Sequence, residues 1–207
     1  MCFLDYYKTE IYSKLLTPSH HLNPVRNRAD SLLTVFKTLT QLDKKNYLIV
    51  ETGCMRADHG TLAFGDDGAS TFIFDKFVEY LDGSVYSVDI CQANIDHAKK
   101  FVSNKTNLIC NDSVSFLWNF PKNKKIDLLY LDSYDVEKNN PEPSQLHHLK
   151  ELCAAIKNLQ SGSMVVVDDY NAFFTKEKIG KGTYVKNFME NINAKLLFED
   201  YQIGWIL

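Results

Sequence analysis

Tyr47-Leu48-Ile49-Val50-Glu51-Thr52-Gly53 sets the pattern that decides the fold: a short unbroken apolar run, then an acid, then a glycine. Four consecutive apolar residues suit a strand buried on both faces, because a half-exposed strand would alternate and a helix would need more length. The same ending recurs downstream. Val85 to Val88 ends at Asp89, Leu108 to Cys110 at Asp112, Ile126 to Leu131 at Asp132, and Met164 to Val167 at Asp168-Asp169. Between these runs the apolar spacing becomes helical. Phe72, Phe74, Phe77, Val78 and Leu81 follow Ser70-Thr71; the next helices cover Ala93 to Phe101, a short stretch with Val114, Phe116 and Leu117, and about Ser144 to Leu159. Strands that alternate with helices predict a parallel sheet with right-handed crossovers and helices on both faces, the doubly wound α/β arrangement.

The two ends of the chain depart from this rhythm. Leu32, Leu33, Val35, Phe36, Leu39 and Leu42 recur at helical spacing, with Asp30 or Ser31 able to cap the first turn. Residues 1–25, with Pro18 and Pro24, read as a lid or a packing arm. At the other end, Lys195 to Phe198 and Ile203 to Leu207 are strand-like and separated only by Glu199 to Gln202, too few residues for a helical crossover, so they must pair antiparallel. The expectation is a Rossmann-like mixed sheet of about seven strands with an antiparallel C-terminal pair. No internal repeat or second core is visible, so residues 1–207 read as one domain, an arm and helix over 1–45 and a cofactor-binding core over 46–207.

Composition narrows the function classes. The chain has 207 residues, 45% hydrophobic and 24% charged, close to soluble globular averages, so disorder and fibrous classes are set aside. A formal charge of -3 offers no basic field for a nucleic-acid backbone. Cys2, Cys54, Cys91, Cys110 and Cys153 are odd in number, scattered and without a CxxC pair, which argues against a disulfide framework or a zinc site and for a reducing compartment. Asp5, Lys8 and Glu10 interrupt the opening where a signal peptide needs apolar residues, and no run approaches the roughly 20 apolar residues of a membrane span. A cytoplasmic protein with neither nucleic acid nor membrane as partner is expected; a homodimer and a place within a larger chain both stay open.

In an open α/β sheet ligands bind beyond the carboxyl ends of the strands, where strand order reverses, and here those ends are acidic. Asp89 stands where a carboxylate accepts hydrogen bonds from both hydroxyls of a ribose, with a helix N-cap as the alternative. Glu51 and Gly53 open the loop under a cofactor, Gly53 allowing close backbone approach. The nucleotide-binding GxGxxG is absent. Asn111-Asp112-Ser113 can bond an adenine amino group, or Asp112 and Ser113 can cap the following helix.

Glu51-Thr52-Gly53, Ser87-Val88-Asp89, Asn111-Asp112-Ser113, Leu131-Asp132-Ser133 and Val167-Asp168-Asp169 together resemble the successive motifs of class I S-adenosylmethionine-dependent methyltransferases, over residues 47 to 207. The antiparallel terminal pair is similar to that family's reversed last strand. The resemblance implies S-adenosyl-L-methionine as cofactor, with Glu51 and Gly53 near its methionine part, Asp89 on the ribose, Asp112 and Ser113 beside adenine, and Asp132 bordering it. Residues 54–68 depart from the family's compact glycine-rich turn. There Gly65-Asp66-Asp67-Gly68 form the turn and Ser70 bonds the cofactor carboxylate, or the segment is a surface insertion.

Asp132, Asp168 and Asp169 end two neighbouring strands and would repel if uncompensated. A hard divalent cation of the Mg or Ca kind relieves that, and the set resembles metal-dependent O-methyltransferases of the catechol and antibiotic-sugar types. Such a metal holds two adjacent acceptor oxygens and acidifies one. The alternative is that Asp168-Asp169 caps the next segment and only Asp132 touches substrate. His147 and His148 fall in the first turn of a helix capped by Ser144, whose dipole favours neutral imidazole. His148, bordering the stripe Leu149, Leu152, Cys153 and Ile156, is preferred as base, with His147 and Asp135 competing. Gly180-Lys181-Gly182 reads as a lid whose lysine meets an anion, or as a plain turn; Gln202 can reach the acceptor, and Trp205 is core. The expected function is metal-assisted O-methylation of a sugar, glycan or other small diol. A nicotinamide-dependent oxidoreductase and a non-catalytic cofactor-binding module are the alternatives.

Overall fold

The computed structural model describes residues 1–16, 26–65 and 67–207; Pro18, Pro24 and Asp66 lie outside the described residues. Seven strands form one sheet in the order β3-β2-β1-β4-β5-β7-β6: β1 (Tyr47–Thr52), β2 (Gly83–Asp89), β3 (Thr106–Cys110), β4 (Leu128–Leu131), β5 (Met164–Val167), β6 (Lys195–Glu199) and β7 (Ile203–Ile206). The first five are parallel, while β7 runs antiparallel to both β5 and β6. The chain leaves β1 for β2 and β3 on one side and returns to β4 on the other, so strand order reverses at β1 and β4, and a crevice opens beyond their carboxyl ends.

The central strands are apolar on both faces because both are covered. Along β1, Tyr47 and Ile49 face one core with Phe36, Phe74 and Phe77, whereas Leu48 and Val50 face the other with Leu117, Leu152 and Trp205. The first core packs α3 (Ala29–Gln41) and α4 (Ser70–Leu81); the second packs α6 (Ser113–Asn119), α7 (Glu142–Ala155) and α8 (Thr183–Asn191), and α5 (Gln92–Ala98) joins β2 to β3. Helix α3 starts two residues earlier than the capping expectation. Asp30 does not cap it; its carboxylate accepts from Tyr12 Oη at 2.6 Å and Asn27 Nδ2 at 2.9 Å.

The start of the chain is a packing helix. α1 (Phe3–Tyr6), a π-helical turn (Tyr7–Ile11) and α2 (Tyr12–Leu15) run on continuously, and Phe3, Tyr7, Ile11 and Leu15 are at most 1% exposed. A strict four-residue spacing drifts off the face of a 3.6-residue helix; the widened turn keeps it facing the core. Phe3 meets Phe36 and Phe77 edge-on, with ring centroids 4.9 and 5.0 Å apart. Among the described residues no helix is long and apolar enough to cross a membrane.

Candidate active site

Beyond the carboxyl ends of β1, β2, β4 and β5 lies a cavity of about 860 Å³, walled by Gly53, Asp89, Asp132, Asp169, Arg28 and Arg56 among others. A slot of about 200 Å³ shares Gly53, Asp89, Ile90 and Ser133 with it and is closed by Asp112, Ser113 and His147. Asp89 thus stands at the junction of the two spaces. Its carboxylate accepts from Cys91 N at 2.7 Å, Cys54 N at 3.1 Å and Asn94 Nδ2 at 3.3 Å. A carboxylate offers about four acceptor positions, so three N–H donors fix its orientation and leave room for a hydroxyl. It is not the cap of α5, whose N-cap is Cys91. Gly53 is where β1 must clear β4: its φ is +80°, and a Cβ there would lie 2.6 Å from the Asp132 carbonyl oxygen.

Three residues expected at the cofactor do other work. Glu51 is fully buried and accepts hydrogen bonds from Ser70, Thr71 and Ser87, so it ties β1 to α4 and β2 from beneath the cavity instead of lining it. Burial pushes its carboxyl up to about 7, against those three hydrogen bonds. Ser70 therefore spends its hydroxyl on Glu51, although it borders the cavity. Gly68, also at φ +80°, lies against the Arg28 side chain, where a Cβ would come within 2.9 Å of Cδ. Asp112 takes the capping alternative, accepting from Ser115 N at 2.7 Å at the start of α6 while also lining the slot. Ser113 Oγ is 3.0 Å from His147 Nε2.

The histidine preference is reversed. His148 is fully buried; its Nδ1 donates to Ser144 O at 2.7 Å, and Nε2 has no hydrogen-bond partner among the described residues. Burial pushes its pKa down to about 4. It reaches neither cavity and cannot act as base there. His147 faces the slot, between Ser113 and Glu151 Oε1 at 3.3 Å. Both sit in the second turn, because α7 begins at Glu142 and Ser144, instead of capping it, donates to Tyr134 O at 2.7 Å. Asp135 is at the cavity rim, 64% exposed and paired with Arg56.

Asp132, Asp168 and Asp169 do converge, and two buried cations stand among them. Arg28 Nε donates to Asp168 Oδ2 at 2.8 Å, and its Nη2 to Asp169 Oδ1 at 3.4 Å. Lys181 Nζ pairs with Asp132 Oδ1 and lies 3.1 Å from Asp169 Oδ2. Tyr201 donates to Asp169, and Gln202 Nε2 to Asp168 Oδ1 at 3.0 Å. These last two arrive because β7 is antiparallel: Ile203 pairs with Val167, so the residues before β7 stand beside those after β5. Burial would raise Asp169, but Lys181 and Arg28 hold it well below the usual carboxylate range. Asp132 has one cation instead of two, and burial lifts it well above that range against the pull of Lys181. No group of three or more acidic, histidine or cysteine side chains among the described residues is arranged to hold a metal ion. The oxygens of Asp132, Asp168 and Asp169, expected at a divalent cation, face an ammonium, a guanidinium, a phenol and an amide.

Sequence reasoning passed over Arg28, Arg56, Asn94 and Glu151; the lysine of Gly180-Lys181-Gly182, expected to meet an anion, meets Asp132 and Asp169 of this same chain. The available signal was electrostatic: three acids at one buried edge require cations from elsewhere in the chain.

No family model matches the sequence, and no curated protein matches it either. Solved structures do. The MycE methyltransferase of the mycinamycin biosynthetic pathway, solved with Mg and SAH, superposes with a TM-score of 0.64 at 13% identity, over 98% of this chain and 54% of that one. This chain thus spans about half the length of MycE. CalS11, a TDP-rhamnose 3'-O-methyltransferase of calicheamicin biosynthesis, gives 0.54 at 15% identity over 98% and 93% of the two chains. The fibrillarin pre-rRNA processing protein of Methanococcus jannaschii gives 0.50 at 16% over 79% and 66%. What is shared is the fold, the seven-stranded Rossmann-like sheet of methyltransferases with its reversed last strand.

Proposed function

We propose that this chain is an S-adenosylmethionine-dependent O-methyltransferase acting on a hydroxyl of a sugar, glycan or other small diol. The observation that carries the reading is Asp89, a carboxylate held by three N–H donors at the junction of the cavity and the slot. The cavity volume falls within the roughly 300–1,000 Å³ of small-molecule sites. When bound, S-adenosylmethionine supplies an electrophilic methyl group on its sulfonium. Asp89 would hold the ribose, and Ile90, Asp112, Ser113 and His147 would enclose the adenine in the slot.

The remaining work falls to the acceptor side. An in-line displacement needs an oxygen within about 3 Å of the methyl carbon and a group to take its proton. Asp132 suits the second task, since it lines the cavity and burial lifts its carboxyl well above the usual carboxylate range. Arg56 and Asp135 at the rim offer donors and acceptors to a polyhydroxylated acceptor. CalS11 is a TDP-rhamnose 3'-O-methyltransferase, which favours a sugar hydroxyl as acceptor here.

Calorimetric titration with S-adenosylmethionine tests the reading directly. Wild type is expected to bind, and Asp89→Ala to weaken binding roughly 10- to 150-fold, from the about 1.5–3 kcal/mol of a hydrogen bond to a charged group. Absence of binding by wild type, or equal binding by Asp89→Ala, would sink it.

A further inference from the structure

We infer that Lys181, backed by Arg28, is a built-in cation standing where a divalent metal ion would have to sit among Asp132, Asp168 and Asp169, so that this end of the cavity is organised without a metal. The inference rests on the proposed function only for what the cavity receives; the arrangement of charges is independent of it.

The placement of Lys181 is enforced by its neighbours. A Cβ on Gly180 would lie 2.0 Å from the Asp169 carbonyl oxygen and 2.2 Å from that of Tyr170, and one on Gly182 would lie 2.8 Å from Tyr170 Cδ2. Only glycines allow the segment to press this closely on the exit of β5. Lys181 N donates to Asp169 O at 3.0 Å, and Gln145 Nε2 holds Gly180 O at 3.0 Å from α7. The segment, read as a lid or a plain turn, is thus a clamp, and it delivers a side chain that is only 1% exposed.

An ammonium has three donors, and those of Lys181 face Asp132 Oδ1, Asp132 O at 3.3 Å and Asp169 Oδ2 at 3.1 Å. Mg²⁺ needs about six oxygen ligands at roughly 2.0–2.1 Å, and Ca²⁺ six to eight at 2.3–2.6 Å. A metal could obtain them here only by expelling Lys181 into a space where its backbone is clamped, or by sharing the site with a buried positive charge. Lys181 is therefore a positioning residue for Asp132: it pins one carboxylate oxygen and neutralises Asp169 behind it.

Electron paramagnetic resonance with Mn²⁺ as probe tests this without knowledge of the acceptor. Wild type is expected to leave Mn²⁺ free up to about 1 mM, the weak end of oxygen-ligand sites in proteins. Lys181→Ala is expected to gain one bound Mn²⁺ per chain, and adding Asp169→Asn to abolish it. Lys181→Met, which keeps the stem without the charge, serves if the alanine variant does not fold. One Mn²⁺ bound by wild type and lost in Asp169→Asn would overturn the inference, as would a folded Lys181→Ala or Lys181→Met that gains none. S-adenosylmethionine titration of wild type runs alongside. Loss of that binding would count against the methyltransferase reading alone and leave the Mn²⁺ result standing.

Discussion

His148 and Glu51 are two buried titratable side chains with opposite demands on pH. The unfolded chain titrates His148 near 6.5 and the folded chain near 4, because burial disfavours imidazolium. Between those values the unfolded state binds the extra proton. The contribution is thus complete above pH 6.5 and lost as pH falls toward 4, with a total of about 3 kcal/mol. Glu51 has the reverse sign: its folded carboxyl is raised to about 7, so its contribution is complete below 4.5 and lost as pH rises through 7. Between pH 4.5 and 6.5 the two slopes oppose and cancel, so urea unfolding at pH 4, 5, 6, 7 and 8 should give a plateau over roughly pH 5–6.5 with a fall on either side. His148→Gln is expected to turn the plateau into a fall with rising pH, and Glu51→Gln to turn it into a rise; a plateau unchanged by both substitutions would refute the assignment.

At the scale of elements, Gly180 joins the segment before α8 to the end of β5. Gly180→Ala would drive a methyl group into two backbone carbonyls that cannot rotate away, and overpacking of this kind costs about 1–3 kcal/mol. Guanidinium denaturation should register that loss; Gly60→Ala, with nothing within 4 Å of its added carbon, should show only the smaller strain of a positive φ. The strands were legible in the sequence because burial on both faces leaves unbroken apolar runs, and the antiparallel return because four residues cannot cross a sheet. Asp89 ends β2, and Asp112 and Ser113 follow β3 into α6, so the same runs located these three in the chain. Helix α7 was misread because its buried stripe is polar: Ser144, His148 and Glu151 face inward with Leu152, while Leu146, Cys153 and Ile156 are exposed. Apolar spacing put His148 rightly on the buried side of this helix but could not tell burial from facing the cavity. The cations were illegible for a different reason. Arg28 precedes Asp168 by 140 residues and Lys181 follows Asp132 by 49, and no local pattern announces partners that meet only in the folded chain.

On the scale of the whole molecule, the network around Asp168 joins the two ends of the described fold. The Ser31 hydroxyl bonds to Gln202 across 171 residues, and Arg28 reaches Tyr201 across 173. Closing loops of that length costs entropy that only a nearly finished structure offsets, and contacts of high sequence separation slow folding. In stopped-flow refolding, helical signal should therefore return before methyl-transfer activity, which should follow the slowest phase; activity preceding that phase would contradict this order. The consequence concerns time as much as architecture. A partly melted chain can keep the strands without the closure that unites Arg28 with Tyr201, so on the proposed function its acceptor end stays unfinished until the last contacts form, and turnover becomes the chain's own signal that folding is complete.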